Sequence, residues 1–158
     1  MVIHPLELDA AKLDKLAEVL SSDPRYFSDE NRTLAVAWRT LNHWFGGESV
    51  TEACEIGDFA GVMIFKDILP GHKCNLVVID IDKRAWGRKV WSEAMAEIRD
   101  VMKSHDLNRV EVETVTERWA KFLQRHGFVM EGCRAKSYMM EGEPVDYYQL
   151  ALIGGRNG

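Results

Sequence analysis

The chain has 158 residues, 46% of them hydrophobic and 28% charged, with a net charge of −5. That length predicts a single globular domain burying roughly 70% of its unfolded surface, and the acidic balance excludes a general attraction to nucleic acid or anionic membranes. Every apolar run is strand-sized, too short to span a bilayer. The opening MVIHPLELDA has no basic segment followed by an apolar one, so no signal peptide is expected. Cys54, Cys74 and Cys133 are odd in number, widely spaced and without a CxxC, which predicts a reduced, cytoplasmic protein with no disulfide framework. The five histidines show no metal-ligand spacing, so no metal is expected.

In chain order, residues 2–5 read as a short strand ended by Pro5. Asp9 or a neighbour caps a helix to about Leu20, with Leu13, Leu16, Ala17 and Leu20 on one face, and Asp23-Pro24 breaks it. Ser28 is the expected cap of a second helix through Phe45, with a stripe of Leu34, Trp38, Leu41 and Phe45, stopped by Gly46-Gly47. A hairpin follows: Val50, Cys54 and Ile56 share a face, Gly57-Asp58 is the expected two-residue turn, and 59–65 returns. Pro70-Gly71 turns into the apolar strand 76–81. Val90, Trp91, Ala94, Met95, Ile98, Val101 and Met102 then repeat at helical spacing. Residues 109–115 alternate as a strand, with Val110, Val112 and Thr114 opposite Glu111 and Glu113. Thr116 caps a short helix carrying Trp119, Phe122 and Leu123, which ends at Gly127. Two strands, roughly 128–139 and 145–153, close the chain before a frayed tail at 154–158. Trp38, Trp91 and Trp119 fall on apolar stripes and are expected in the core.

The most informative segment is 76–102. An apolar strand runs into a loop holding Lys83, Arg84, Arg88 and Lys89 around Gly87, and that loop opens a helix. A helix start presents unpaired N–H groups and the positive end of the helix dipole. Cations gathered there, in an acidic chain, predict a polyanionic ligand such as a phosphate ester. No G-x-G-x-x-G, P-loop or G-x-S-x-G pattern competes with that reading.

The element order, β-α-α-β-β-β-α-β-α-β-β, predicts an α/β fold with a mixed sheet, since antiparallel strands precede a βαβ crossover. It resembles the GNAT superfamily of acyl-CoA-dependent N-acetyltransferases, and the final hairpin, GEPVDYYQLAL, looks like that of its ribosomal-protein-acetylating branch. The family's Q/R-x-x-G-x-G/A loop is matched by Arg84 and Gly87, with Lys89 in the last position. Gly127-Phe128 and Glu131-Gly132 match its second motif, with Thr116 and Trp119 in place of the usual Asn and small residue. Leu123 stands where many members have a tyrosine.

The resemblance implies acetyl-CoA as co-substrate and a primary amine as acceptor. The implied coenzyme contacts are Ile79, Ile81, Arg84, Ala85, Trp86, Gly87, Arg88, Lys89, Thr116 and Phe122. Lys89 can crowd a pyrophosphate or swing outward and offer it a charge. Trp86 can meet the coenzyme or pack under the following helix. Acetyl transfer needs a base for the amine proton and a stabilised oxyanion. Glu113, with Glu111 on the same face, and His72 are the candidate bases, and Tyr138 is the candidate acid. The acceptor is expected between residues 21–30 and the last hairpin, where Asp23, Asp29, Glu30, Glu141, Glu143 and Asp146 surround Tyr26 and Phe27. The departures at Lys89, Thr116 and Leu123 keep a second reading open, a catalytically silent binding or assembly module, and a third is a carrier that binds coenzyme A without transferring anything. The Trp-rich helix and segment 119–132 also resemble phage virion-associated proteins. The expected state is a monomer or homodimer.

Overall fold

The computed structural model describes residues 2–154, so the tail expected at 155–158 lies outside the described residues. The chain divides into two compact units. One comprises the N-terminal segment to Glu7, Ser49–Glu111 and the chain from Leu152; the other comprises Leu8–Glu48 and Val112–Ala151.

The first unit holds β1 (Ile3–Pro5), β2 (Glu52–Ile56), β3 (Gly61–Leu69), β4 (Lys73–Asp80), α3 (Arg88–Ser104) and the start of β5 (Arg109–Thr114). Strands β1 to β4 pair antiparallel in sequence order, and β4 pairs parallel with β5 through the α3 crossover. Only antiparallel neighbours can be joined by short turns, so this parallel step falls where a helix intervenes. Val62, Met63, Ile64 and Phe65 are buried in succession, as in a strand covered on both faces. Each such side chain contributes about 1.5–3 kcal/mol by leaving water. On α3, Val90, Ala94, Met95, Ile98, Val101 and Met102 are buried, confirming the helical period, while Trp91 is half-buried.

The hairpin turn is longer than its sequence suggests. Ile56 pairs with Gly61, leaving residues 57–60 as the connection, with Gly57 and Phe59 at φ 57 and 55. Val50 lies before β2 and is exposed. Strand β4 ends at Asp80 because the N–H groups of Ile81 and Asp82 turn away to the Ala60 carbonyl, at 3.0 and 2.8 Å. Gly154, expected in the tail, donates its N–H to Asn108 O at 2.7 Å.

The second unit holds α1 (Ala10–Ser22), α2 (Leu34–Phe45), the end of β5, α4 (Glu117–Arg125), β6 (Val129–Met140) and most of β7 (Glu143–Ile153). Asp9 caps α1 as expected, its carboxylate accepting from Lys12 N at 2.8 Å. The second cap differs from expectation. Ser28 precedes only a 3-10 turn, Asp29–Asn31, and Thr33 Oγ1 accepts from Val36 N at 3.2 Å to start α2. The buried face is accordingly Ala37, Leu41 and Trp44, and Leu34 is 55% exposed. Trp38 and Trp119 are half-buried rather than core. Strands β6 and β7 are antiparallel, joined by Glu141-Gly142, both at positive φ as a tight hairpin turn requires. The strand order of the mixed seven-stranded sheet is β1-β2-β3-β4-β5-β7-β6.

Candidate active site

The loop after β4 is shaped by short-range bonds. Asp82 Oδ1 accepts from Arg84 N at 3.1 Å, which starts a 3-10 turn, Lys83–Ala85, and Trp86 N closes it on Lys83 O at 3.2 Å. The Arg84 guanidinium folds back on the same carboxylate, with Nε 3.1 Å from Oδ1. That hydrogen bond holds the Asp82 carboxyl below its usual range and raises Arg84. At 92% exposure the Arg84 side chain gains little from the pair and remains available to a ligand.

Gly87 is the N-cap of α3 and makes no side-chain cap. The first i→i−4 bond is Trp91 N to Gly87 O at 3.1 Å, so the N–H groups of Arg88, Lys89 and Val90 precede the helical ladder. Gly87 has φ −91, which any residue adopts, and a Cβ built there meets nothing within 4 Å. Nothing in the chain's own packing requires glycine at this position, so the bare backbone suits a group that approaches from outside. Lys83, Arg88 and Lys89 are all exposed around it. An anionic phosphate ester fits this set: open backbone donors, a helix start and exposed cations.

Strand β4 is part of the same arrangement. Its parallel ladder with β5 covers Lys73, Cys74 and Asn75, while the strand continues to Asp80. Ile79 is fully buried and Ile81 half-buried. Trp86 is half-buried too. Its Nε1 donates to Ala60 O at 3.4 Å and its ring lies 4.7 Å from that of Trp91. His72 is exposed in the turn before β4, at the opposite end of that strand from the cationic loop. A strand of this length, with its flanking residues, separates them by about 30 Å.

The two glutamates of β5 differ. Glu111 Oε1 is held by Lys73 Nζ at 3.0 Å and Arg109 Nε at 3.2 Å. Glu113 is exposed and accepts instead from neutral groups: Tyr147 OH at 2.5 Å on Oε2, and Gln149 Nε2 at 3.4 Å on Oε1. Burial, then the bond to the Glu113 carboxylate, raises the Tyr147 phenol. Tyr138 stacks on Tyr147 with centroids 5.6 Å apart and donates its own hydroxyl to Pro24 O at 3.0 Å. It is 8% exposed, and burial pushes its phenol up to about 12. Sequence reasoning missed Tyr147 and Gln149. Their i, i+2 spacing puts them on one face of β7, but only the β5-β7 adjacency aims that face at Glu113.

Thr116 caps α4 without using its hydroxyl, and its N–H goes to Thr114 Oγ1 at 3.1 Å. Phe122 lies between Trp119, at 5.2 Å, and His126, at 4.4 Å. Leu123 is buried. In the segment expected to meet the acceptor, Asp29 takes the N–H groups of Glu141 and Gly142, both at 2.8 Å, and pairs with Arg32 at 2.9 Å. Asp23 pairs with Arg25 at 2.8 Å. Segment and hairpin thus meet through Asp29, and these two carboxylates are neutralised. Glu30, Glu141 and Glu143 remain exposed.

A profile of the acetyltransferase (GNAT) family matches residues 13–128. No curated protein matches the sequence. Among solved structures, the fold is similar to spermidine N-acetyltransferase from Vibrio cholerae in complex with CoA and spermine. The TM-score is 0.70 at 12% identity, covering 96% of this chain and 95% of that one. It is also similar to ribosomal-protein-S5-alanine acetyltransferase from Vibrio fischeri, with TM-score 0.67 at 17% identity, covering 98% and 93%. The sequence match and the shared fold lead to one conclusion: the chain belongs to the GNAT acetyltransferase family, whose members use acetyl-CoA.

Proposed function

We propose that this protein transfers the acetyl group of acetyl-CoA to the primary amine of a small cation or a peptide N-terminus. The observation that carries the proposal is the loop at 82–89. It combines a glycine that the chain's packing does not need, a helix start with open N–H groups, and exposed cations. Arg84, Ala85, Gly87, Arg88 and Lys89 are assigned to the pyrophosphate. The stretch of β4 beyond its ladder with β5, which includes Ile79 and leads to Ile81, is assigned to the amide-bearing arm, whose donors and acceptors suit an open strand edge. Thr116, with its hydroxyl unused in capping, and Phe122 are further assigned contacts. Lys89, being exposed, adds charge here instead of filling the cradle.

Chemically, the neutral amine nitrogen attacks the thioester carbonyl, the C–S bond breaks, an amide forms, and the coenzyme leaves as a thiolate that takes up a proton. Glu113 is assigned as the base because it is exposed and unpaired with any cation among the described residues, whereas Glu111 is held by Lys73 and Arg109. Tyr138 is less suited to act as the acid, since its proton is committed to Pro24 O. His72 is less suited to act as the base, because it lies at the far end of β4 from the loop. A thiolate leaves without a dedicated acid, so Leu123 is compatible with turnover. Glu30, Glu141 and Glu143 are assigned to attracting a cationic acceptor.

The test is thiol release from acetyl-CoA with a panel of polyamines, small amines and N-terminal peptides. Release that depends on one amine class supports the proposal. Tight coenzyme binding with no release on any amine favours the carrier reading.

A further inference from the structure

We propose that Trp86 is a positioning residue for the cationic loop, seated in a notch that Gly61 leaves open on β3; its consequence for coenzyme binding rests on the acetyl-CoA reading above. A Cβ at Gly61 would fall on the indole ring, 2.8 Å from Cε2, 3.0 Å from Nε1 and closer still to Cζ2. The three heavy atoms nearest to that Cβ all belong to the indole, so the ring accounts for glycine at the start of β3. The indole is held from two further sides. Its Nε1 donates to Ala60 O, and Trp91 on α3 packs against it.

Ala60 O is the common anchor. It accepts Ile81 N at 3.0 Å and Asp82 N at 2.8 Å in addition to the longer indole bond. Both backbone bonds fall where β4 gives way to the loop. The hairpin turn at 57–60 therefore fixes the loop's first residues, and Trp86 fixes its last residue before Gly87. Loop position is then set by packing remote from the cations themselves. An indole moved by a side chain at Gly61 shifts the N-terminal turn of α3, and with it the N–H groups offered to the pyrophosphate. Trp86 thereby acts through the loop and has no need to touch the coenzyme.

The test is a double-mutant cycle with Gly61→Ala, Trp86→Ala and the pair. It is read by hydrogen exchange at Ile81 and Asp82 and by calorimetric titration of acetyl-CoA. Each single change is expected to speed exchange at both amides and weaken binding, both by roughly tenfold. The pair is expected to be no worse than Trp86→Ala alone, because the clash disappears with the ring. Trp86→Phe, which keeps a ring in the notch, should stay within about twofold of the parent and decides the matter if Gly61→Ala does not fold. Unchanged exchange in Trp86→Ala, with weakened binding, would make Trp86 a direct coenzyme contact and overturn the proposal. Strictly additive losses would overturn it too. If the parent protein binds no acetyl-CoA, the proposed function falls, while exchange at Ile81 and Asp82 still decides the role of Trp86.

Discussion

Two charged regions of this chain, one in each unit, use their charge differently. In the loop at 82–89, Arg84 pairs with Asp82 in solvent, and Lys83, Arg88 and Lys89 make no ion pair among the described residues. In the segment at 23–32, Asp23 and Asp29 each hold an arginine, and Asp29 also binds the two N–H groups of the β6–β7 turn. The acidic cluster looked in sequence like a substrate mouth, yet Asp23 and Asp29 within it are structural clamps. The cationic cluster, which the sequence predicts to meet a polyanion, has spare charge beside open backbone. The difference teaches that a charged cluster becomes a binding surface only to the extent that its own fold leaves it unspent.

The sharpest way to break this comparison is Gly87→Glu. It places a carboxylate where phosphate is assigned and should weaken acetyl-CoA binding at least about a hundredfold. A melting temperature close to the parent's is expected, because the backbone there is ordinary and the Cβ meets nothing. Next in size, Glu113→Gln should lower kcat by about a hundredfold with the KM for acetyl-CoA unchanged, measured by thiol release. An unchanged kcat would move the base elsewhere.

The clamped region makes a different kind of prediction. Tyr138 has its phenol raised from 10.0 to about 12. The folded state thus holds that proton more tightly than the unfolded chain. Its contribution to stability is full below pH 10 and is lost as pH rises toward about 12. Urea unfolding should show that decline, and Tyr138→Phe should make it shallower, leaving the share that the raised Tyr147 phenol contributes. The buried thiols of Cys54 and Cys74, also raised to about 12, add a decline that begins nearer pH 9 and that Tyr138→Phe leaves in place. The smallest effect is expected from Asp29→Ala. The Gly142 and Glu141 N–H groups hold the Asp29 carboxyl below its usual range. Its stabilisation is therefore present above pH 3.8 and fades as pH falls through the lowered folded value. Asp29→Ala should lower the melting temperature at pH 7, converge with the parent in acid, and leave kcat alone.

Much of the fold was legible because each element carried its own local signal. Asp9 caps α1, the run from Val90 to Met102 has a helical period, and Val110 and Val112 alternate with two glutamates. The second helix was misread at its start because Ser28 and Thr33 are both capping residues. The choice between them depends on Arg32, which sits outside helical geometry with ψ 77. The candidate site was legible in its cations and in Gly87, which are contiguous. It was not legible in Gly61 and Trp86, whose meeting needs β3 beside the loop, or in Tyr147 and Glu113, whose meeting needs β7 beside β5. Contacts across strand order leave no periodicity in the sequence to read.

The central claim is that the loop at 82–89 binds the coenzyme. Calorimetric titration of acetyl-CoA into the parent protein and into Gly87→Glu tests it most directly. Micromolar binding by the parent, absent in a Gly87→Glu variant of unchanged melting temperature, is the predicted result. No heat of binding by the parent at millimolar acetyl-CoA, or equal affinity in the two proteins, would contradict it.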